Sequence, residues 1–270
     1  MMKRVGDADG QRKQHQEDLQ RIRGFRLIDD DFMNACLDDN IEGTELILRI
    51  VMGKPDITVK RVRAQHVMKN LQGRDIWLDI DATDDVGREY DIEIQRADKG
   101  AARKRARYHS SMLDAQLLRP GDDFSALPET YIIFITENDV IGDNLPIYTV
   151  ERMITNVGKP FDDGEHIIYV NGRFDGSSAI GKLMHDFRCE KPSEMYYKEL
   201  AERAHYLKET EGGRDTMCKI MEELLNDEKL QTAMRMLAKG KYSIEEIAEI
   251  SDLTVEQVKT LAEKVRPLSA

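Results

Sequence analysis

The stretch DIWLDIDATDDVGREYDIEIQ, residues 75–95, contains two segments in which apolar and polar side chains alternate. Alternation with a period of two is typical of a β-strand, and the intervening TDDVGR is typical of a turn. The sequence therefore predicts two antiparallel strands. On the first strand, Trp77, Asp79 and Asp81 would point away from the apolar side.

The second strand would place Asp91, Glu93 and Gln95 on one face. If the hairpin is roughly symmetric about Val86, Asp79 lies opposite Glu93, with Cβ atoms about 5 Å apart. Two carboxylates this close repel each other unless a cation or a proton lies between them. Hard oxygen ligands suit Mg²⁺ or Mn²⁺, which polarise a phosphodiester and activate water. The pair therefore predicts a metal site that acts on nucleic acid.

A basic run, RADKGAARKRAR (residues 96–107), follows directly and contains a single acid, Asp98. We predict a helix over residues 100–118, and Lys99, Arg103 and Arg107, four residues apart, would form one ridge suited to a phosphate backbone. The net charge of -11 excludes a uniformly basic nucleic-acid surface, so such a contact must be local.

Other segments complete a mixed α/β domain that ends near residue 210. DDNIEGTELILRIVMGKPD predicts a helix over residues 41–52, with cap residues before it and Gly53 and Pro55 after it. ITVKRVRAQHVM adds a third strand to the hairpin, giving an antiparallel meander. TYIIFIT (130–136) and HIIYVNG (166–172) predict two further strands.

The C-terminal sequence KYSIEEIAEISDLTVEQVKTL (241–261) predicts two short helices, each with a capping signature. Their spacing resembles a helix-turn-helix. The second helix has as many acids as bases, which favours a packing or protein-interaction module over a DNA-reading one.

Several classes of protein are disfavoured. No apolar run is long enough for a membrane helix and the N-terminal residues lack the apolar centre of a signal peptide, so we predict a cytoplasmic protein. Cys36, Cys189 and Cys218 are widely separated, which suggests reduced thiols. GSSAIGKL (176–183) fits a phosphate-binding loop except for its last residue, and we interpret it as a turn and helix start without a nucleotide cofactor.

Residues 74–118, with LPETYIIFITENDVIGDNLPIYTVER and HIIYVNG, resemble the PD-(D/E)XK nuclease family transposases. The similarity spans roughly residues 27–210. It implies an α/β fold with a restriction-endonuclease-like core, in which a helix and a mixed β-sheet are flanked by further helices, and a helical C-terminal region. The expected organisation is a flexible or helical lead (1–26), the nuclease-like domain (27–210) and a helical module (211–270).

The resemblance also implies roles for particular residues. Asp79 and Glu93 would be the motif acids that bind Mg²⁺ or Mn²⁺, together with the carbonyl of Ile94. Gln95 takes the place of the usual lysine, as is common in this group, although a neutral amide can only hydrogen bond. Glu45 is the candidate for a first-helix acid that some members use.

The two residues that follow the basic run, Tyr108 and His109, are interpreted as a packing residue and a surface residue, respectively. The leading hypothesis is a metal-dependent DNA endonuclease that hydrolyses phosphodiester bonds in recombination, mobile-element activity or defence. The alternative is a nuclease-like module that binds nucleic acid or protein without cleavage. DNA is the expected partner, and a homo-oligomer is possible.

Overall fold

The computed structural model describes residues 16–70 and 74–265. The chain divides into two compact units, Met1–Gly213 and Arg214–Ala270. Most of the predicted N-terminal lead, residues 1–15, lies outside the described residues. Residues 16–24 form helix α1, and Ile22 in that helix is fully buried. The described part of the lead therefore contributes a side chain to the core.

Two helices precede the sheet, α2 (Asp30–Leu37) and α3 (Ile41–Met52). The prediction of a helix over residues 41–52 is confirmed. The Asn40 side chain accepts a hydrogen bond from the Gly43 N–H at the start of α3, and Gly53 ends it with a φ of 63°. A positive φ suits glycine, which has no Cβ to clash.

A six-stranded mixed sheet forms the centre of the first unit, in the order β1-β2-β3-β4-β8-β5. Strands β1, β2 and β3 form the predicted antiparallel meander, β3, β4 and β8 are parallel, and β5 is antiparallel to β8. The short strands β6 and β7 form a separate hairpin. The bounds are Val59–Met68 (β1), Ile76–Asp84 (β2), Glu89–Gln95 (β3), Thr130–Thr136 (β4), Ile147–Val150 (β5), Met153–Ile154 (β6), Lys159–Pro160 (β7) and Glu165–Asn171 (β8).

Helix α4 (Arg103–Leu117) connects β3 to β4. Its residues Met112 and Leu113 pack in one apolar cluster with Ile132 and Phe134 of β4. Every residue of β4 is buried, as expected for a continuous apolar strand at the centre of a parallel region covered by helices.

The start of α4 corrects one prediction. Residues Asp98–Ala101 form a separate 3₁₀ turn, and the α-helix begins only at Arg103. A 3₁₀ turn has a different rise and periodicity from an α-helix. Lys99 is therefore not part of one continuous ridge with Arg103 and Arg107.

Helix α5 (Ala179–Arg188) contacts α3, and α6 (Lys198–Glu209) contacts both α2 and α3. The Ser178 side chain caps α5 by accepting a hydrogen bond from the Gly181 N–H, so GSSAIGKL forms the predicted helix start. With α4, these helices flank the sheet. The predicted α/β class with a restriction-endonuclease-like core is confirmed.

The C-terminal region is helical, as predicted, and comprises α7 (Glu211–Lys239), α8 (Ile244–Ser251) and α9 (Val255–Val265). Ser243 and Glu246 form the predicted capping box, and Thr254 and Gln257 exchange equivalent hydrogen bonds. The second unit has its own apolar cluster, formed by Ala233, Met236, Ile247, Ala248 and Val258.

The three cysteines are free thiols. Among the helices in the described residues, none combines the length and the apolar character needed to cross a bilayer.

Candidate metal centre and adjoining cleft

The two predicted motif acids meet where the β2–β3 ladder ends. The ladder pairs Asp81 with Asp91 and Ile80 with Ile92, which is the register predicted about Val86. Beyond it, the Asp79 N–H donates to Glu93 Oε1 (3.2 Å), and the Ile94 N–H donates to Asp79 Oδ2 (2.8 Å). Side-chain carboxylates thus take over backbone hydrogen bonds, which holds the two acids together.

The neighbouring strand is irregular at the same level. Gln65 has a φ of 50°, and the ladder between β1 and β2 passes from the Ala64–Ile80 pair to the His66–Leu78 pair. Arg63 and His66 both contact the Asp81 carboxylate although they are three residues apart. The pairing with β2 keeps the same register on both sides of Gln65, so the irregularity is confined to that residue.

Burial changes the ionisation of the acid pair. Loss of hydration, followed by the charge of Glu93, raises the pKa of Asp79 to about 8. Glu93 is fully buried, and its pKa also rises to about 8 because of burial and the nearby Asp91. Both acids therefore hold protons more tightly than usual, and a cation would favour their ionised forms.

A third acid, Asp91, lies two residues before Glu93 on β3 and is fully buried. Its Oδ2 is 2.8 Å from His109 Nδ1, whereas no group in the described part of the chain hydrogen bonds to its Oδ1. Burial, with a contribution from Asp79, raises the pKa of Asp91 well above its ordinary value. A buried oxygen without a donor is costly, and a bound cation would satisfy it.

His109 completes a compact set of donors. One ligand atom each from Asp91, Glu93 and His109 lie within 4.8 Å of one another, a spacing that a metal ion could bridge. Burial lowers the pKa of His109, which favours its neutral form. The interpretation of His109 as a surface residue was wrong.

Arg105 brings a positive charge to the motif glutamate. Its guanidinium lies 2.7 Å from Glu93 Oε2, 3.4 Å from Gln95 Oε1 and 3.2 Å from His109 Nε2. Gly100 allows the 3₁₀ turn to lie directly against the Gln95 side chain, because a Cβ at this position would be 1.7 Å from Gln95 Oε1. Gln95 is neutral, and Arg105 of α4 places a positive charge beside it.

The structure places Glu45 away from these acids. Its carboxylate accepts a hydrogen bond from the Val59 N–H (2.9 Å) and pairs with Arg49 (2.7 Å). Val59 is paired with Asp84, five residues from Asp79 along β2, which corresponds to roughly 16 Å at 3.3 Å per residue. Glu45 thus joins α3 to the start of β1 and is not in contact with the pair.

A different helix acid lies closer. Asp30, the first residue of α2, is near enough for its charge to add to the raised pKa of Asp79. Burial and the adjacent Asp31 in turn raise the pKa of Asp30. The helix that approaches the motif aspartate is therefore α2, whereas the sequence had suggested α3.

A cleft of about 870 Å³ opens beside the acids. Arg105 and His109 line it and connect it to Glu93 and Asp91. Of the three predicted DNA-contacting residues, Lys99 lines this cleft, whereas Arg103 and Arg107 are exposed outside its wall. The remaining lining residues are Asn70, Arg74, Asp75, Ile76, Trp77, Lys104 and Tyr108.

Helical periodicity carried a signal for His109 that the sequence interpretation did not use. Ala106, His109, Ser110 and Leu113 are all buried, and their spacing of three and four residues marks one face of α4. Arg105 is one turn before His109. Neither Asp30 nor the pairing of Arg105 with Glu93 has a comparable local signal.

Comparison with known proteins agrees with this geometry. The model of the PD-(D/E)XK nuclease family transposases matches residues 31–172, which is more than half of the chain and includes β1 to β4, α4 and β8. No curated protein and no solved structure gives a significant match. The extent of the family match shows that the chain belongs to the PD-(D/E)XK nuclease family transposases.

Proposed function

We propose that this protein is a metal-dependent DNA endonuclease that hydrolyses phosphodiester bonds. Membership of the family points to a nuclease- or transposase-related activity. The observation that carries the finer proposal is the Asp79–Glu93 pair at the broken end of the β2–β3 ladder, in which Glu93 is fully buried and Asp79 is half-buried. Buried acids that resist ionisation, beside a basic cleft, are typical of a site prepared for a cation and a phosphate.

The donor set fits a divalent metal, which nucleases of this class generally use. Asp79, Glu93 and the carbonyl of Ile94 would hold it, and their oxygen atoms suit Mg²⁺ or Mn²⁺. The Asp91 oxygen that has no partner in the described chain would add a further carboxylate ligand. When bound, such a metal polarises the phosphodiester and lowers the pKa of the attacking water.

The chain's own groups have separate tasks. The Gln95 amide would orient the attacking water or a phosphate oxygen, and the Arg105 guanidinium would stabilise the negative charge that develops on phosphate. Arg105 donates to His109 Nε2, so the His109 proton belongs on Nδ1, where it faces Asp91 Oδ2. In this tautomer, the Nδ1 proton and the Arg105 donor engage both ring nitrogens, so His109 positions Arg105 and would not itself be a metal ligand.

The DNA backbone would be held by the basic residues around the cleft. Lys99, Arg103 and Arg107 remain the proposed contacts from the sequence, with Lys99 nearest the acids. Arg74 and Lys104 join them because they line the same cleft. These contacts are electrostatic, so each should contribute to the salt dependence of binding.

We extend the proposal to the whole chain. Residues 27–210 would form the nuclease domain, and residues 211–270 an accessory module for packing or protein interaction. Recombination, mobile-element activity and defence are the roles that the family suggests, and any of them would place the protein with DNA in the cytoplasm, where it could act as a homo-oligomer.

Plasmid cleavage tests the proposal. Purified protein is incubated with supercoiled plasmid in Mg²⁺, Mn²⁺ or EDTA, beside Glu93→Gln and Asp79→Asn. Asp85→Asn is the matched control, because Asp85 is exposed in the turn of the same hairpin. We expect metal-dependent nicking that both site variants lose by about 100-fold or more and the control retains.

Cleavage that persists in EDTA or in Glu93→Gln would contradict this mechanism. The alternative, a module that binds DNA without cleavage, is favoured by the neutral Gln95 and by the engagement of Arg105 with Glu93. It predicts folded wild-type protein that binds DNA in every metal without nicking it, with affinity lost mainly on replacement of Arg103 or Arg107.

A further inference from the structure

The wall of the cleft contains an exposed indole. Trp77 is the only tryptophan in the sequence, and 61% of its surface is exposed although it lies in β2, between two other strands. A single exposed apolar residue is ordinary on protein surfaces. What distinguishes Trp77 is its surroundings, because it shares a cleft with the arginine and histidine that contact the buried acids.

Several cations line the same cleft as the indole. Arg74, Lys99 and Lys104 line the same cleft, and they form no ion pair with any acid of the described residues. The acid in this wall, Asp75, is already bound by Lys69 and by the Asn70 N–H. The cleft therefore presents a net positive lining to a ligand, within a protein whose net charge is negative.

The wall beside Trp77 is also fixed in place. The Tyr108 hydroxyl donates to the Arg74 carbonyl (2.6 Å) and accepts from Asn70 Nδ2 (3.1 Å). These bonds connect α4 to the chain that leads into β2. The Tyr108 ring and the backbone of Arg74 are thus held together before any ligand binds.

We infer that this cleft accepts unpaired nucleotides, with one base stacked on the indole of Trp77 and its phosphates against Arg74, Lys99 and Lys104. Basic grooves with exposed aromatic side chains bind single strands, since every base offers a flat face for stacking. In a duplex those faces are covered by neighbouring bases. The preferred DNA would therefore be single-stranded, or frayed at the position of binding.

The spacing also suits the proposed cleavage site. Trp77 precedes Asp79 by two residues, or roughly 7 Å along an extended strand, which is comparable to one nucleotide of an extended single strand. A base stacked on Trp77 would bring an adjacent phosphate near the acid pair. This part of the inference rests on the proposed nuclease function, whereas base stacking does not.

Intrinsic fluorescence tests the stacking directly. Wild-type protein in EDTA is titrated with a 12-nucleotide dT strand and, separately, with a hairpin duplex at equal phosphate concentration and fixed low salt. Because Trp77 is the only tryptophan, any quenching reports on this position. We expect dT to quench the emission and the duplex to leave it nearly unchanged.

Variants separate stacking from general affinity. Trp77→Ala should weaken binding of labelled dT, measured by anisotropy, by about 5- to 100-fold, whereas Trp77→Phe should retain most of it. Phe124→Ala is the matched control, since Phe124 is 79% exposed and does not line the cleft. Circular dichroism checks that each variant is folded.

The outcomes distinguish the two proposals. Absence of quenching by dT, or unchanged dT affinity in folded Trp77→Ala, would overturn the stacking inference even if plasmid is cleaved. Quenching and a lower dT affinity in the variant would support it even if no metal produces cleavage, in which case only the nuclease proposal fails. Equal quenching by the duplex would overturn the preference for unpaired DNA.

Discussion

The two ends of the β2–β3 hairpin both bury carboxylates, but only the end away from the turn leaves a carboxylate oxygen without a donor in the described chain. At the turn, Asp84 accepts hydrogen bonds from the N–H groups of Val86 and Arg88 and from the Tyr90 hydroxyl. At the other end, Asp91 has an oxygen without a partner in the described chain. A buried acid with enough donors stabilises the fold, whereas one that lacks donors indicates a binding site.

The largest expected effect concerns the cation beside the motif glutamate. Arg105→Ala should lower plasmid cleavage by about 100-fold, because a preorganised cation near the phosphate is lost. Arg105→Lys should recover part of that loss, since charge returns without the planar fork. Initial rates of nicking with saturating metal measure both, and wild-type rates in folded Arg105→Ala would show that the cation has no catalytic role.

The pH dependence of stability should be the next largest effect. Asp79 and Glu93 have pKa values near 8 in the folded protein, above their ordinary values near 4, so the folded state binds more protons than the unfolded state in this window. The metal-free protein should therefore lose stability as the pH rises from about 4 to about 8. Thermal melts in EDTA check this.

Two controls sharpen that measurement. Added Mg²⁺ or Mn²⁺ should raise the Tm more at pH 8 than at pH 5, because the metal binds the ionised carboxylates. Glu93→Gln should flatten the pH dependence. A Tm that rises with pH in EDTA would mean that the acids at this end are already satisfied.

At the turn end, the expected effect is on stability. Asp84→Ala would leave two backbone N–H groups and the buried Tyr90 hydroxyl without their acceptor. We expect a loss of about 2–3 kcal/mol in the free energy of unfolding, measured by urea denaturation. Cleavage per folded molecule should be unchanged, and a metal-dependent loss of activity would remove the contrast between the two ends.

The smallest effect is expected for Glu45. Glu45→Gln should cost about 1 kcal/mol or less in the free energy of unfolding, because it weakens the pairing with Arg49 and the hydrogen bond to Val59. Cleavage rates should match wild type within about twofold, since the carboxylate is remote from the acid pair. A large catalytic loss would return Glu45 to the site.

Short stretches of sequence predicted individual strands and helices and the pairing of adjacent strands. Alternation gave β2, β3 and their register, the apolar run gave β4, and caps gave the bounds of α3. The arrival of Arg105, His109 and Asp30 depends on how α4 and α2 dock on the sheet. Docking is decided by packing between distant segments, which periodicity does not encode.

Glu45 is a second case in which helix docking, and not the local sequence pattern, decides where a side chain lies. Its position on an amphipathic helix was identified correctly, but the helix directs it to the first residue of β1. Lys99 differs, because the helix prediction itself began too early and the 3₁₀ turn was not anticipated. Gly100, which lies against Gln95, was the residue that could have marked this turn.

The break in the β2–β3 ladder gives the acid pair a second property. The amides of Asp79 and Ile94 donate to the two carboxylates that are proposed to hold the metal, so amide and cation would compete for the same oxygens. In the proposed nuclease, these amides would keep the two carboxylates in position while no cation is bound. Hydrogen exchange at the amides of Asp79 and Ile94 would then report whether a cation occupies the site.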